Sequence, residues 1–282
     1  MRFRIPHGLV IGFLLPCLSG CAGAALHVVS SLVPDMSRVF FEECDLQLAR
    51  QSIPAQLKLM EGLVRQAPDN RDFLTALSTG FAGYAMLFVE DENPERASRL
   101  YRRALNYGLQ AMDLEETDTR SVRNKLAGIS RDALAPLLWT SMSWYGWINL
   151  NLDKPAALAE LPAARACLDK LMELDPDYFF GAPYILLGSM LAARPRMLGG
   201  DAAKAKTYFT RAMAASNGAF FLVHYYYAKT YAVRVQDRAL FLDLIHQVAK
   251  GRPDALKEVC LINAGIQKKM QGLEKKVDEL FF

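Results

Sequence analysis

Apolar residues recur along this chain at the three- and four-residue spacing of helices that pack on one face. From residue 31 onward, the segments are rich in Ala, Leu, Met, Gln, Glu, Lys and Arg, which favour helix over strand. Strand-like stretches such as residues 220–227 are too isolated to build a sheet. The prolines mostly fall near helix starts or between helices, where a missing amide donor costs least. The pattern predicts an all-α fold of about 11 or 12 helices.

Three predicted helices share a set of packing positions, typically small, large and small, spaced by four and then three residues. The sets are Ala97, Tyr101 and Ala104; Ala164, Leu168 and Leu171; and Ala205, Phe209 and Ala212. A degenerate copy comprises Gln56, Met60 and Leu63, and successive copies begin 41, 67 and 41 residues apart. The tetratricopeptide period is about 34 residues. We therefore predict a TPR-like solenoid of antiparallel helix pairs with one eroded repeat and two insertions, and a pair of generic helical bundles is the alternative.

Three segments carry no charge over long stretches, namely residues 133–152, 179–193 and 212–228. The first is long enough for a transmembrane helix. However, it contains a proline and several Ser and Asn residues, and acidic residues Asp132 and Asp153 flank it. Inner helices of a solenoid contact neighbours on several sides and become apolar nearly all round. We expect these segments to be buried helices.

The first twenty residues have the pattern of a secretory signal. Arg2 and Arg4 precede an almost wholly apolar segment, and the sequence Leu18, Ser19, Gly20, Cys21 resembles a bacterial lipobox. We predict cleavage before Cys21 and acylation of its sulfur, which anchors a protein without spanning the bilayer. A plain signal peptide or an uncleaved anchor is the alternative. Ala22, rather than an acidic residue, follows the cysteine and favours the outer membrane.

The remaining cysteines, Cys44, Cys167 and Cys260, are odd in number and show no paired or metal-binding spacing. We expect them to be buried small apolar residues, with neither a zinc site nor a disulfide framework. The formal charge of +3 falls to +1 when Arg2 and Arg4 leave with the signal, so no basic field indicates nucleic acid. A hydrophobic fraction of 52% excludes a disordered chain.

Catalytic motifs are missing from the sequence. His224 and His246 are outside HExxH spacing, and the chain has neither a GxSxG elbow nor a P-loop. The acidic run Glu42, Glu43 and Asp45 is explained by the solvated first turn of a helix. We predict a protein that is not an enzyme and has no cofactor or metal apart from the covalent lipid on Cys21.

Four stretches resemble the TatT component family of tripartite ATP-independent periplasmic (TRAP) transporters, whose members are lipid-anchored tetratricopeptide proteins. They are ECDLQLARQSIPAQLKLMEG at residues 43–62, PLLWTSMSWYGWINLNLDKP at 136–155, PRMLGGD at 195–201 with the positions that follow it, and the ending VDELF at 277–281. With the signal pattern above, we predict a lipoprotein signal at residues 1–20, an acylated tether at 21–35 and a TPR-like helical domain at 36–282. The resemblance implies a periplasmic accessory protein that binds the solute-binding subunit of a TRAP system. A homo-oligomer is left open, and no nucleic acid is expected.

If a ligand binds, large rigid aromatic side chains should line its site. The candidates are Trp139, Trp147, Tyr184, Tyr226 and Tyr231, with Arg194 and Arg196 placed to steer an anion. Trp139 and Trp147 are eight residues apart and are expected to share a helix face. The alternative is that the aromatic residues only fill the core and the arginines lie in a solvated loop. Two functions thus remain open: a scaffold for a solute receptor or for envelope assembly, and a direct binder of a hydrophobic or organic-acid molecule.

Overall fold

A computed structural model describes residues 28–114 and 117–281 of the chain. These residues form helices and connecting turns, and none of them lies in a β-strand. The predicted signal peptide and Cys21 lie outside the described residues. The all-α fold predicted from the periodicity is therefore confirmed, and the helices stack in pairs as in a solenoid.

Residues 28–42 are helical and are called α1 here, and thirteen further α-helices follow within the described chain. They are α2 (Leu46–Gln66), α3 (Arg71–Tyr84), α4 (Pro94–Ala111), α5 (Thr119–Leu126), α6 (Leu134–Asn149), α7 (Pro155–Ala159), α8 (Leu161–Leu174), α9 (Tyr178–Ala193), α10 (Ala202–Ala215), α11 (Phe221–Tyr226), α12 (Arg238–Lys250), α13 (Cys260–Glu274) and α14 (Val277–Leu280). Wider π-helical turns continue α3 over Ala85–Val89 and α11 over Tyr227–Ala232. The total exceeds 11 or 12 because it includes short helices, such as α7 between two longer helices and α14 after α13.

Side-chain caps set the beginnings of most long helices. The side chains of Asp45, Asn70, Asn93, Asp201 and Asp237 accept hydrogen bonds from free backbone amides in the first turns of α2, α3, α4, α10 and α12. Each cap satisfies a donor that has no partner inside the helix, which is typically worth about 1 kcal/mol. These short polar residues explain why the chain divides into separate helices at these positions.

The repeated packing positions hold the helix pairs together. The small, large and small residues of α4 and α10 are buried, as are their counterparts on α8. Tyr101 of α4 packs over Gly146 of α6, where an added Cβ would lie 2.6 Å from the ring. Phe209 of α10 packs over Gly188 of α9, where the corresponding distance is 3.1 Å. A glycine opposite the bulky residue is therefore what lets these helices approach closely.

The uncharged segments form core helices. Most side chains of α6 and α9 are buried against neighbouring helices. Within the described residues, Arg71–Val89 is long and apolar enough to cross a membrane, and 61% of its most apolar window is buried inside the protein. A core helix passes the same test of length and composition, so this segment is weak support for a membrane span.

Two of the three remaining cysteines are bonded to each other, contrary to the expectation from sequence. Cys44 and Cys260 form a disulfide with a Cα–Cα distance of 5.2 Å, across a sequence separation of 216 residues. The sequence shows no spacing motif for this disulfide, because the two cysteines lie far apart in the chain and come together only in the folded protein. Cys167 is a buried free thiol, as expected. Burial raises the pKa of this thiol to about 12.

Helix α1 also extends across the boundary expected at residue 36 between tether and domain. Its residues 28–35 are already helical, and Val33 is buried. Residues 28–35 are therefore part of helix α1, and the side chains of Val29 and Val33 line an apolar cavity.

Candidate ligand-binding site

An apolar cavity of about 200 Å³ lies between α1, α2 and α3, and α13 and Trp139 close it. Among its lining residues only a few side chains, such as Ser37, Gln56 and Thr79, carry polar atoms. The apolar lining is Val29, Val33, Met36, Phe40, Phe41, Ile53, Leu57, Leu59, Met60, Leu63, Ala76, Gly80, Gly83, Tyr84, Leu87, Leu261 and Ile262. A cavity of this composition binds a hydrophobic group by removing its surface from water.

The cavity exists where the packing repeat fails. Gln56, Met60 and Leu63 occupy the degenerate copy, and all three line the cavity as partly exposed side chains. Small residues on α3 add space: a Cβ at Gly80 would meet Leu57 at 2.5 Å, whereas one at Gly83 would meet nothing within 4 Å. The missing small, large and small set therefore leaves the α2 and α3 faces unfilled.

Aromatic rings form one wall of the cavity. Trp139 stacks on Phe41 with a centroid distance of 5.7 Å, and Phe179 meets both rings edge-on. Phe179 and Phe180 have φ values of 49° and 59°, a left-handed conformation that costs a bulky residue about 1 kcal/mol or more. The packing of Phe179 against Phe41, Trp139 and Phe220 offsets this cost.

A second cavity, of about 670 Å³, adjoins the first and is cationic. Its lining holds five basic side chains and two acidic ones: Arg50, Lys229, Lys268, Lys269, Lys276, Asp91 and Glu92. Tyr225 also lines this cavity, and burial raises the pKa of its phenol well above the usual value, so it stays neutral. The cavity therefore carries a surplus of positive charge.

Several of these charges are already paired. Arg50 donates two hydrogen bonds to Glu92, at 2.9 and 2.6 Å. These bonds, supported by the nearby charge of Lys268, hold the pKa of Glu92 below its usual value. Lys269, whose side chain is 5% exposed, binds the Met86 carbonyl at 2.9 Å and Asp91 at 2.7 Å.

Leu87 lines both cavities, and α2 and α13 each contribute to both. A Cβ at Gly265 would lie 2.7 Å from Leu87 Cδ2, so this glycine lets the leucine sit between the two spaces. On α13, Leu261 and Ile262 face the apolar cavity, and Lys268 and Lys269 face the cationic one. The two cavities are therefore adjoining parts of one cleft.

Ion pairs and hydrogen bonds between α2 and α4 stabilise the packing beside the apolar cavity. Glu61 accepts hydrogen bonds from Lys58 at 2.6 Å, from Tyr107 at 2.8 Å and from Arg103. Burial opposes ionisation of Glu61, but these donors outweigh it and leave the pKa of its carboxyl below the usual value. The Arg103 guanidinium also lies 4.5 Å from the centre of the Phe81 ring. This pairing holds α2 against α4 beside the cavity.

Of the aromatic and arginine residues that the sequence suggested, the structure places Trp139 in the apolar cavity. Trp147 instead lies under the Arg102 guanidinium, 3.6 Å from its ring centre. Tyr184 stacks on Tyr208 and Tyr231 packs against Tyr227. These residues are therefore not gathered in one site.

The three other candidates also lie outside the two cavities. Tyr226 is packed edge-on against Tyr225, and burial raises the pKa of its phenol. Arg194 and Arg196 flank the turn before α10, where Gly199 takes a φ of 81°. Burial lowers the pKa of Arg194, and Arg196 is exposed. Trp139 contacts Phe41 and Phe179, whereas Trp147 contacts Arg102, so the structure does not bring these two indoles together.

The lysines at the end of α13 and the residues of α1 are features that the sequence did not single out. The degenerate repeat at Gln56 was the available signal for a gap in packing. Neither α1 nor α13 could be assigned to that gap from sequence, since they come from opposite ends of the chain. Within the described chain, no group of three or more His, Cys, Asp or Glu side chains is arranged to hold a metal ion.

Comparison with known proteins shows the family to which the chain belongs. The chain is 27% identical over 273 residues to an uncharacterized protein of Treponema pallidum (strain Nichols), covering 88% of this chain and 84% of that protein. Residues 42–281 match the family model of the TRAP transporter T-component. This match spans α2 to α14 and includes the lining of the second cavity, whereas the α1 residues that line the apolar cavity precede it. The chain therefore belongs to the TRAP transporter T-component family, an accessory family of a transport system rather than a family of enzymes.

Proposed function

We propose that this protein is a lipid-anchored accessory protein on the periplasmic side of the cell envelope. It binds the extracytoplasmic solute-binding subunit of a TRAP system and takes a hydrophobic ligand into the apolar cavity. Family membership supports the transport role and an envelope location. The apolar cavity is the observation that carries the ligand-binding part, because its lining offers little hydrogen bonding and a large hydrophobic surface.

The outer face of α1 supports a partner surface. Val28, Leu32 and Val39 repeat at helical spacing and are 51% to 68% exposed. Exposed apolar residues in one contiguous stripe are typical of protein interaction sites. We assign this stripe to the solute-binding subunit, since the inner face of the same helix covers the ligand cavity. A receptor docked on α1 would lie next to the cavity and could exchange ligand with it.

The disulfide and the lipobox support the location. A Cys44–Cys260 bond is stable in an oxidising compartment such as the periplasm. Cys21 lies seven residues before the first described helix, so acylation there would hold α1 near a membrane surface. Ala22, rather than an acidic residue, follows Cys21 and supports an outer-membrane position. Labelled palmitate should enter the wild-type protein in its native cell and should be lost in Cys21→Ser.

The partner proposal is tested with purified proteins. Residues 22–282 are mixed with the solute-binding subunit of a TRAP system from the same genome, and association is measured by sedimentation. We expect a complex that Leu32→Ser with Val39→Ser weakens. Leu152→Ser with Leu158→Ser is the matched control, because both leucines are exposed far along the chain. Absence of a complex with wild-type protein would contradict the proposal.

A generic scaffold for envelope assembly and a stand-alone binder of small molecules are the alternatives. Ligand binding without receptor binding would favour the stand-alone binder. Receptor-independent association with other envelope proteins, with an empty cavity, would favour the scaffold. The family match gives the TRAP role precedence over both.

A further inference from the structure

We infer that the two adjoining cavities form one site for a single-chain fatty anion, with its tail in the apolar cavity and its carboxylate beside Lys268 and Lys276. This inference rests on the ligand-binding part of the proposed function and names the chemical class of the ligand. Three observations carry it: the shared wall at Leu87, the charge of the second cavity, and the way in which α13 passes along both.

The geometry joins an apolar end to a cationic end. Leu87 lines both cavities, and its side chain is the boundary that they share. Along α13, Ile262 lines the apolar cavity and Lys268 lines the cationic one. Six residues of helix separate them by about 9 Å along the axis. A ligand that contacts both ends therefore needs an extended chain of at least that length.

The charges favour an anion at the second end. Arg50, Lys229 and Lys269 are engaged by Glu92, Glu90 and Asp91, respectively. Lys268 and Lys276 line the same cavity, are exposed, and form no ion pair within the described part of the chain. Lys268 lies close enough to Glu92 to affect that carboxyl, but Arg50 is its bonded partner. Two ammonium groups are thus available to a ligand at the mouth of the cleft.

Each half of the cleft excludes a different class of ligand. A small dicarboxylate would pair with the lysines but would leave the apolar cavity empty, because a lining of this kind does not hold water well. A neutral hydrophobic molecule would fill the cavity but gain nothing from the surplus charge. A fatty cation would place its head against five basic side chains. A single-chain fatty anion satisfies both halves.

The ligand class is tested with four probes on the wild-type protein of residues 22–282. Dodecanoate, dodecanol, dodecyltrimethylammonium and butyrate are titrated below their micellar concentrations and followed by calorimetry. We expect dodecanoate to bind about five- to tenfold more tightly than dodecanol, as two exposed charge interactions allow, and butyrate and the cation to bind more weakly still. Equal binding of dodecanoate, dodecanol and the cation would overturn the inference and leave a purely hydrophobic site.

Paired variants test the position of the carboxylate. Lys268→Gln with Lys276→Gln should weaken dodecanoate about five- to tenfold, towards the affinity of dodecanol, and leave dodecanol unchanged. Lys250→Gln with Lys275→Gln removes the same charge from exposed positions outside both cavities and should leave dodecanoate affinity as it is. An equal loss in both double variants would overturn the assignment to Lys268 and Lys276.

Failure here is distinguishable from failure of the proposed function. If dodecanol binds and the receptor complex forms while the anion has no advantage, the inference falls and the proposed function stands. If no probe binds and no receptor complex forms, both fall. Circular dichroism of each variant shows whether a loss of binding comes from loss of helix.

Discussion

Cys44 and Cys260 join the beginnings of α2 and α13, which lie 216 residues apart in the chain and line both halves of the cleft. Cys44 precedes the Asp45 cap of α2, and Cys260 is the first residue of α13. The covalent bond therefore fixes the contact between α2 and α13 beside the cleft, and the Lys257–Glu42 ion pair joins the same two ends of the helical stack.

Removing this disulfide should destabilise the fold. A bond that closes a loop of this length restricts the unfolded chain, and we expect Cys44→Ser with Cys260→Ser to lower the free energy of unfolding by about 3 to 5 kcal/mol. Urea denaturation with and without reductant measures the change. Reductant should lower the stability of the wild type and leave the double variant unaffected. A reductant effect that persists in the double variant would contradict this assignment.

Trp139 should report ligand binding. Its indole lines the apolar cavity, whereas Trp147 lies against Arg102. We expect a hydrophobic probe such as dodecanoate to change tryptophan emission in wild-type protein and in Trp147→Phe. The change should be mostly lost in Trp139→Phe. Retention of the full signal in Trp139→Phe would place the ligand elsewhere.

Glu160 should be more important for stability than an exposed carboxylate. It accepts 2.7 Å and 2.8 Å hydrogen bonds from the buried Trp144 indole and from Arg102. Glu160→Ala leaves the indole N–H without its acceptor, and we expect a loss of about 2 to 3 kcal/mol. Glu95→Ala, which breaks an exposed pair with Arg99, should cost less than about 1 kcal/mol.

A double variant isolates the cause of this loss. In Trp144→Phe the indole donor is absent, so adding Glu160→Ala should cost less there than in the wild type. Chemical denaturation of the wild type, Trp144→Phe, Glu160→Ala and the double variant gives the coupling energy between the two side chains. Strict additivity would show that the hydrogen bond contributes little.

Two glycine positions should respond oppositely to alanine. At Gly146 a Cβ would lie 2.6 Å from the Tyr101 ring, so Gly146→Ala should cost about 1 to 3 kcal/mol through overpacking. At Gly62, also inside a helix, a Cβ would meet nothing within 4 Å. Gly62→Ala should therefore stabilise the protein by about 0.5 to 1 kcal/mol through helix propensity. Thermal unfolding compares the stability of the two variants. If Gly146→Ala left the stability unchanged, the result would contradict the close approach of Gly146 to the Tyr101 ring.

Stability should also fall with pH through His224. Burial lowers the pKa of this imidazole below its usual value of 6.5, although a hydrogen bond with Gln247 opposes the shift. The folded state therefore resists a proton that the unfolded state accepts. The contribution of neutral His224 to the free energy of unfolding is therefore fully present above pH 6.5. It is lost as the pH falls below 6.5 towards the lower pKa of the folded state, because the unfolded state takes up the proton first.

The measurement is urea denaturation over a pH series. We expect the free energy of unfolding to decline more steeply below pH 6.5 in the wild type than in His224→Asn. His246→Asn, at an exposed position, is the control and should keep the wild-type slope. An identical slope in His224→Asn would show that other groups account for the acid sensitivity.

The sequence by itself determined the helical class and much of the core. Ala97, Tyr101 and Ala104 are buried together because a helix places residues at this spacing on one face. The same holds for Ala205, Phe209 and Ala212. The family resemblance was also available from local stretches, and the match over residues 42–281 confirms it.

Only the tertiary structure decided which apolar helix faces pack against each other and which are left incompletely covered. The periodicity of α2 showed an apolar face at Met60, but not that α1 and α13 would cover it incompletely and leave a cavity. The spacing of Cys44 and Cys260 did not reveal their disulfide, and the spacing of Trp139 and Trp147 did not reveal that the two indoles contact different neighbours. A pattern along one helix reports that a face is buried, whereas the element that buries it is set by the path of the whole chain.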